Sequence, residues 1–160
     1  MPEGLKKFRL KFTDMLSNSC KYGIRAVVYI ASQGHKKGMV GIKQISQELG
    51  LPSPFLAKIL QQLAKQKILN SAKGPNGGFS LVKDPKKITL HDIIKTIDGD
   101  DIVNGCVIHN ENCTNLDERH LTCTLHEDYT IIRTQLIGLF EKRTIYEMVK
   151  KAGASENVIF

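Results

Sequence analysis

Apolar residues recur along this chain at helical spacing in a series of short blocks, interrupted by one alternating stretch and one long polar gap. In "CKYGIRAVVYIASQG" the residues Ile24, Val27, Val28 and Ala31 fall on one helical face, with Gly34 available as the stop. In "GIKQISQELG" Ile42, Ile45 and Leu49 share a face that ends at Gly50. The stretch "LPSPFLAKILQQLAKQKIL" then opens with Ser53 as N-cap and Pro54 at the first helical position, where its missing N–H costs nothing. Phe55, Leu56, Ile59, Leu60 and Leu63 form its apolar stripe, and Lys58, Gln61, Gln62 and Lys65 lie off it.

The pattern changes in "ILNSAKGPNGGFSLVKDP", which predicts two short strands around a glycine-rich turn with Asn76-Gly77 at its tip. Phe79 and Leu81 alternate on the outgoing strand, so one face can pack on the preceding helices. "ITLHDIIKTIDG" is again helical, with Thr89 as cap, Asp92 three residues on as a variant capping box, and Leu90, Ile93, Ile94 and Ile97 as the apolar face. After the polar gap, "EDYTIIRTQLIGLFEKR" predicts a long helix with Tyr129, Ile132, Leu136, Leu139 and Phe140 as a stripe, widened by Ile131 and Ile137. So wide an apolar arc suits self-association, with packing against the chain's own helices as the alternative. A last short helix starts at Thr144, where "TIYE" makes a second capping box.

A short helix, a tight connection and a second helix with a Lys/Gln outer face predict a helix-turn-helix, and the hairpin behind it is a wing. Lys73, Lys83, Lys86 and Lys87 lie on or beside that wing. The overall charge of +7 is unevenly spread. Residues 15–90 carry twelve Lys and Arg against two Asp and Glu, a net +10, while residues 91–143 carry five against ten, a net −5. A solvated lysine surface is the plain alternative to a polyanion site, and winged helices also bind proteins. Combined with the wing, the +10 segment favours nucleic acid.

Hydrophobic content of 41% beside 24% charge is that of a folded domain. No apolar run is long enough to span a membrane, and no signal peptide opens the chain, so a cytoplasmic location and no membrane partner are expected. Residues 1–14 are expected to be a flexible leader. In a reducing compartment, the crowding of Cys106, Cys113 and Cys123 into "GCVIHNENCTNLDERHLTCTLH" speaks less for disulfides than for a metal. Three thiolates and an imidazole can hold a [2Fe–2S] cluster or zinc, and ligand type does not separate the two. His109 and His120 are reserve ligands or plain loop residues. Cys20, beside Lys21, is either a thiol of lowered pKa or an inert half-buried one. No phosphate-cradling loop and no nucleophile–base set is present, so an enzyme is not expected.

Several stretches resemble the IscR/NsrR/CymR family of bacterial winged helix-turn-helix transcriptional regulators, over residues 15–151. "MLSNSCKYGIRAVVYIA" resembles the opening helix, "GIKQISQELGLPSPFLAKILQQLAKQKIL" the helix-turn-helix, and "SAKGPNGGFSL" the wing. The wing followed by "ITLHDIIKTIDG" is the most specific part. The resemblance implies a mainly α fold with a small β-hairpin (α+β): a winged helix-turn-helix DNA-binding domain over 15–99, a cysteine-rich sensor loop over 100–126, a dimerisation helix and short C-terminal helix over 127–152, and a tail over 153–160.

It also implies a homodimeric repressor on a double-stranded DNA operator, sensing redox, nitric oxide or iron–sulfur status. Cys106, Cys113 and Cys123 fall where the family's cluster-binding members carry three cysteines, and His126 stands where IscR-like members place a histidine. These imply a [2Fe–2S] cluster, easily lost to air during purification. The alternative is a cluster-free regulator of the CymR type, answering to a protein partner or metabolite, with zinc or nothing on the cysteines. The candidate DNA contacts are Lys21, Tyr22, Ser53, Lys58, Gln61, Gln62, Lys65, Lys73, Asn76 and Gly77. The chain departs from the family pattern in the nine residues between Cys113 and Cys123, and in Lys21, where nitric-oxide sensors can supply an aspartate. Ala57 and Lys58 replace a Glu-Gln pair, and Lys73 replaces the wing arginine, so a different operator is expected.

Overall fold

The computed structural model describes residues 15–34, 38–100, 105, 106, 108 and 123–154. The leader, Cys113, His109, His120 and the last six residues lie outside the described residues. In chain order the elements are α1 (Asn18–Ser32), α2 (Ile42–Leu49), α3 (Ser53–Lys65), β1 (Leu69–Ala72), β2 (Gly78–Leu81), a 3-10 turn (Pro85–Lys87), α4 (Leu90–Asp98), α5 (His126–Lys142) and α6 (Ile145–Gly153). The fold is mainly helical with one antiparallel hairpin, as the periodicity predicts.

Local chemistry sets most of the helix boundaries. Gly50 closes α2 in the left-handed conformation at φ 64°. Both capping boxes form: Thr89 with Asp92 on α4, and Thr144 with Glu147 on α6. The start of α3 differs from expectation. The Leu56 N–H donates to the Pro52 carbonyl at 3.1 Å, so Pro52 is the cap residue, Ser53 is already helical, and no side chain caps the helix. At the other end Ile68 N–H reaches the Leu63 carbonyl, and Lys67 turns the chain with φ 57°. Lys67 is the one non-glycine residue with positive φ among the described residues. That conformation costs a lysine about 1 kcal/mol relative to glycine.

α1 is the central helix, packed by α2, α3, α4, α6 and β2. Ala26, Val27, Val28, Tyr29 and Ile30 are consecutive and all buried, so the single face read from spacing understates its burial. Leu56, Ile59, Leu60 and Leu63 bury the inner face of α3 against it. Phe55 leaves the stripe assigned to it: it is 40% exposed, with its ring edge-on to Tyr22 at 5.8 Å. At 100° per residue Phe55 lies about 90° from the centre of that stripe, which is why it turns out to the flank.

The hairpin pairs Leu69 with Leu81 and Ala72 with Gly78, and its turn is closed by the Gly77 N–H on the Gly74 carbonyl at 3.0 Å. A residue that the sequence does not mark fastens the hairpin's backbone beside the helices. Val40 exchanges two backbone hydrogen bonds with Phe79, at 2.8 and 2.9 Å, in an isolated antiparallel bridge. Gly78, at φ +149°, lets the Val40 backbone approach this closely. Phe79 is buried in the core, as its place on the strand predicts.

α5 is tied to the winged helix at its C-terminal end. Leu136 and Phe140 pack with Cys20, Ile94 and Ile97, and the Thr89–Thr144 bridge adds Leu90 N–H to the Arg143 carbonyl and Ile145 N–H to the Ile88 carbonyl, both 2.9 Å. The predicted single stripe is therefore split. One side of α5 packs on its own chain, while Ile131, Ile132 and Leu139 are 62%, 62% and 49% exposed.

Candidate nucleic-acid interface and thiol pair

Packing the apolar stripe of α3 inward turns Pro54, Lys58, Gln61 and Lys65 outward as a ridge, and Lys58, Gln61 and Lys65 are exposed. Lys73 and Asn76 are exposed at the wing turn, with Gly77 half-buried beside them. The wing and the ridge are coupled: the Gln61 Nε2 donates to Ser71 Oγ on β1 at 3.2 Å. Gln62 lies at the margin, where its Nε2 donates to the Thr96 carbonyl of α4 at 2.8 Å. That bond serves a last-turn carbonyl with no partner inside its own helix. Lys21 and Tyr22 are half-buried on α1, and the Tyr22–Phe55 contact sets them beside the N-terminal end of α3 near Ser53. Neither Ser71 nor Phe55 carries a sequence signal for this surface; only the fold brings them to it.

The second site is formed by the ends of the polar gap. Cys106 and Cys123, seventeen residues apart in sequence, bring their sulfurs to 4.0 Å. A disulfide would need about 2.05 Å. Two thiolates on one tetrahedral metal with bonds of about 2.3 Å stand about 3.8 Å apart, so the observed spacing fits a shared metal. Cys123 is buried and Cys106 half-buried. His126 begins α5 three residues on, its N–H on the Cys123 carbonyl at 3.1 Å. Among the described residues no three His, Cys, Asp or Glu side chains gather around one point. Cys113, the third expected thiol, lies outside them.

Of the two readings of Cys20, the inert buried thiol holds, and not the one activated by Lys21. It is fully buried, and its pKa is pushed up to about 12 by burial, and further by the Asp98 carboxylate, both by charge and by hydrogen bond. Asp98 also accepts from Ser17, at both N–H and Oγ, which holds the start of α1 to the end of α4.

A short helix, an outward-facing second helix and a hairpin locked beside it define a DNA-binding winged helix. The Rrf2 family model, described as an iron-dependent transcriptional regulator, matches residues 16–151. The chain belongs to this family of transcriptional regulators. An Aquifex aeolicus protein assigned as an HTH-type transcriptional regulator is 30% identical over 135 residues, covering 84% of this chain and 91% of its own length. Among solved structures, CymR, the global cysteine regulator of B. subtilis, aligns with a TM-score of 0.69 at 22% identity, over 86% of this chain and 97% of its own. T. potens IscR aligns with a TM-score of 0.62 at 21% identity, over 91% and 93%. The resemblance read from the sequence thus holds at the level of family and fold. Among the described residues no helix is long and apolar enough to cross a membrane.

Proposed function

We propose that this chain is a homodimeric, operator-specific repressor whose DNA affinity follows the iron–sulfur, redox or nitric-oxide status of its cysteine loop. The observation that carries the sensing part is the 4.0 Å approach of Cys106 and Cys123. Cys106, Cys113 and Cys123, with His126, would hold a [2Fe–2S] cluster, a group that supplies one-electron redox chemistry and lability towards oxidants and nitric oxide. The chain's own residues carry the signal. Cys123 and His126 stand at one end of α5, and Leu136, Phe140 and the Thr144 bridge fasten the other end to the winged helix. Seventeen residues make α5 about 25 Å long, so a small change in how its first turn is held swings the exposed Ile131–Ile132 face. If two copies meet through that face, the swing changes the distance between their two α3 ridges and thus their fit to paired half-sites. A difference of about 3 kcal/mol between two arrangements is a change of more than about a hundredfold in operator affinity.

On DNA, Lys58, Lys65 and Lys73 serve phosphates, with Lys21 and Tyr22 beside them. Gln61, oriented by Ser71, reaches base edges, flanked by Ser53, Gln62, Asn76 and Gly77. Zinc remains the second reading, because two thiolates 4.0 Å apart suit it equally; the regulator would then be of the CymR type, answering to a partner or metabolite.

The test is anaerobic purification and reconstitution, followed by a visible spectrum, iron, sulfide and zinc analysis, and an operator gel shift. A brown protein with iron and sulfide, bleached in Cys106→Ala and with altered operator affinity, supports the sensor. Stoichiometric zinc in a colourless protein, or operator affinity indifferent to Cys106→Ala and Cys123→Ala in every state, overturns it.

A further inference from the structure

Between the C-terminal end of α3, the base of the hairpin and α4 lies a cleft of about 380 Å³, apart from the thiol pair. Lys67, Lys83, Lys87 and Lys95 line it, together with Asp92 and Thr96. The one carboxylate is already engaged, since Asp92 Oδ2 accepts from both the N–H and the Oγ1 of Thr89 in the capping box. Lys95 is paired with Asp100 at 3.6 Å. No carboxylate stands within ion-pair distance of Lys67, Lys83 or Lys87 among the described residues.

Lys67, Lys83 and Lys87 are exposed residues that line one concavity, and this excess of positive charge favours an anion there. A second, independent feature points the same way. Lys67 holds a left-handed backbone conformation, at a helix end where glycine relieves the strain, and it does so while lining this cleft. Strain kept at such a position is a mark of a functional side chain. The location argues against simple extension of the DNA surface. The cleft is at the Ile68–Lys83 base of the hairpin, and the whole four-pair ladder, about 13 Å, separates it from the wing turn. Its size is that of a small-ligand site, whereas the DNA ridge of α3 is convex.

We infer that this cleft binds a small, multiply charged anion, one carrying two or more phosphate or carboxylate groups, through Lys67, Lys83 and Lys87. Such a ligand bridges the end of α3, the exit of the wing and the 3-10 turn, three elements whose relative positions set how ridge and wing meet DNA. The inference does not depend on what the thiols hold.

The same chemistry is presented by a free anion and by the DNA backbone, and the experiment separates them. Inorganic triphosphate is titrated into the full-length protein by calorimetry without DNA, and operator affinity is measured against salt for the same variants. Wild type is expected to bind triphosphate saturably. Lys67→Gly and Lys83→Gln should each weaken it about five- to tenfold, the loss of one charged contact. Lys67→Gly should at the same time raise the melting temperature, which excludes misfolding as the cause. Lys58→Gln should weaken operator binding while triphosphate binding persists. The inference is overturned if wild type shows no saturable binding, or if the cleft variants bind triphosphate as wild type does. It is equally overturned if they lower operator affinity and its salt slope as Lys58→Gln does, which would make these lysines DNA-backbone contacts.

Discussion

The Val40–Phe79 bridge is the backbone fastening of the wing to the helices, and Gly78→Ala attacks it. An alanine Cβ there would meet the Val40 carbonyl oxygen and carbon and the Gly41 nitrogen, at a φ of +149° that side chains rarely adopt. Relief requires moving β2 from Val40, which opens the two hydrogen bonds of 2.8 and 2.9 Å. Each bond contributes about 1 kcal/mol net, and the strained alternative, keeping the bonds, costs about 1–3 kcal/mol in backbone energy beyond the clash. Together with partial exposure of Phe79, the expected loss is about 3–5 kcal/mol, a large share of a typical stability of about 5–15 kcal/mol. Gly74→Ala is the matched control: its φ is +106° but nothing lies within 4 Å of the added Cβ, so only conformational strain of about 1–2 kcal/mol applies. Urea unfolding followed by circular dichroism measures both, and a gel shift on the operator reads the wing. Gly78→Ala should lower the midpoint far more than Gly74→Ala and lose operator affinity while the helices persist. Equal midpoints for the two variants would refute the idea that the Val40–Phe79 bridge holds the wing.

Lys58→Ala and Lys65→Ala should each weaken operator binding and reduce the slope of log affinity against log salt by about 0.9, one phosphate contact apiece. An unchanged slope would remove them from the interface. Cys20 should be the last thiol modified by iodoacetamide at pH 8, since a pKa of about 12 leaves about one part in ten thousand as thiolate; peptide mass mapping checks the order. The same raised pKa fixes a pH dependence. The folded protein holds the thiol proton more tightly than the unfolded chain, whose value is near 9.0, so this stabilisation is full below pH 9 and lost as pH rises towards 12. Cys20→Ala should flatten that alkaline decline in urea midpoints, and an identical decline would contradict it. Ile131→Asp with Ile132→Asp should shift the protein towards monomer in sedimentation and abolish tight binding to a two-half-site operator while leaving the melting temperature within a few degrees, because both side chains are 62% exposed in the single chain.

The chain's local chemistry was legible from sequence. The Gly50 stop, the Thr89–Asp92 and Thr144–Glu147 boxes, and the Leu56–Leu63 stripe are contacts between residues three or four apart, so residue types and spacing determine them. That sufficed for the winged helix, the Lys/Gln ridge and the family. Even locally, residue type points to Ser53 as the cap, whereas the Pro52 carbonyl starts α3 one residue earlier. What tertiary structure alone decided are the meetings of distant segments. Val40 pairs with Phe79 across the helix-turn-helix, Phe55 turns from the core to Tyr22, and α5 divides its apolar residues between its own chain and solvent. Cys106 comes to Cys123 across the polar gap, and Lys67 joins Lys83 and Lys87 at the base of the wing. No periodicity encodes such approaches, because they depend on the closure of whole elements around α1, whose burial extends to every side, beyond the one face that its spacing marks.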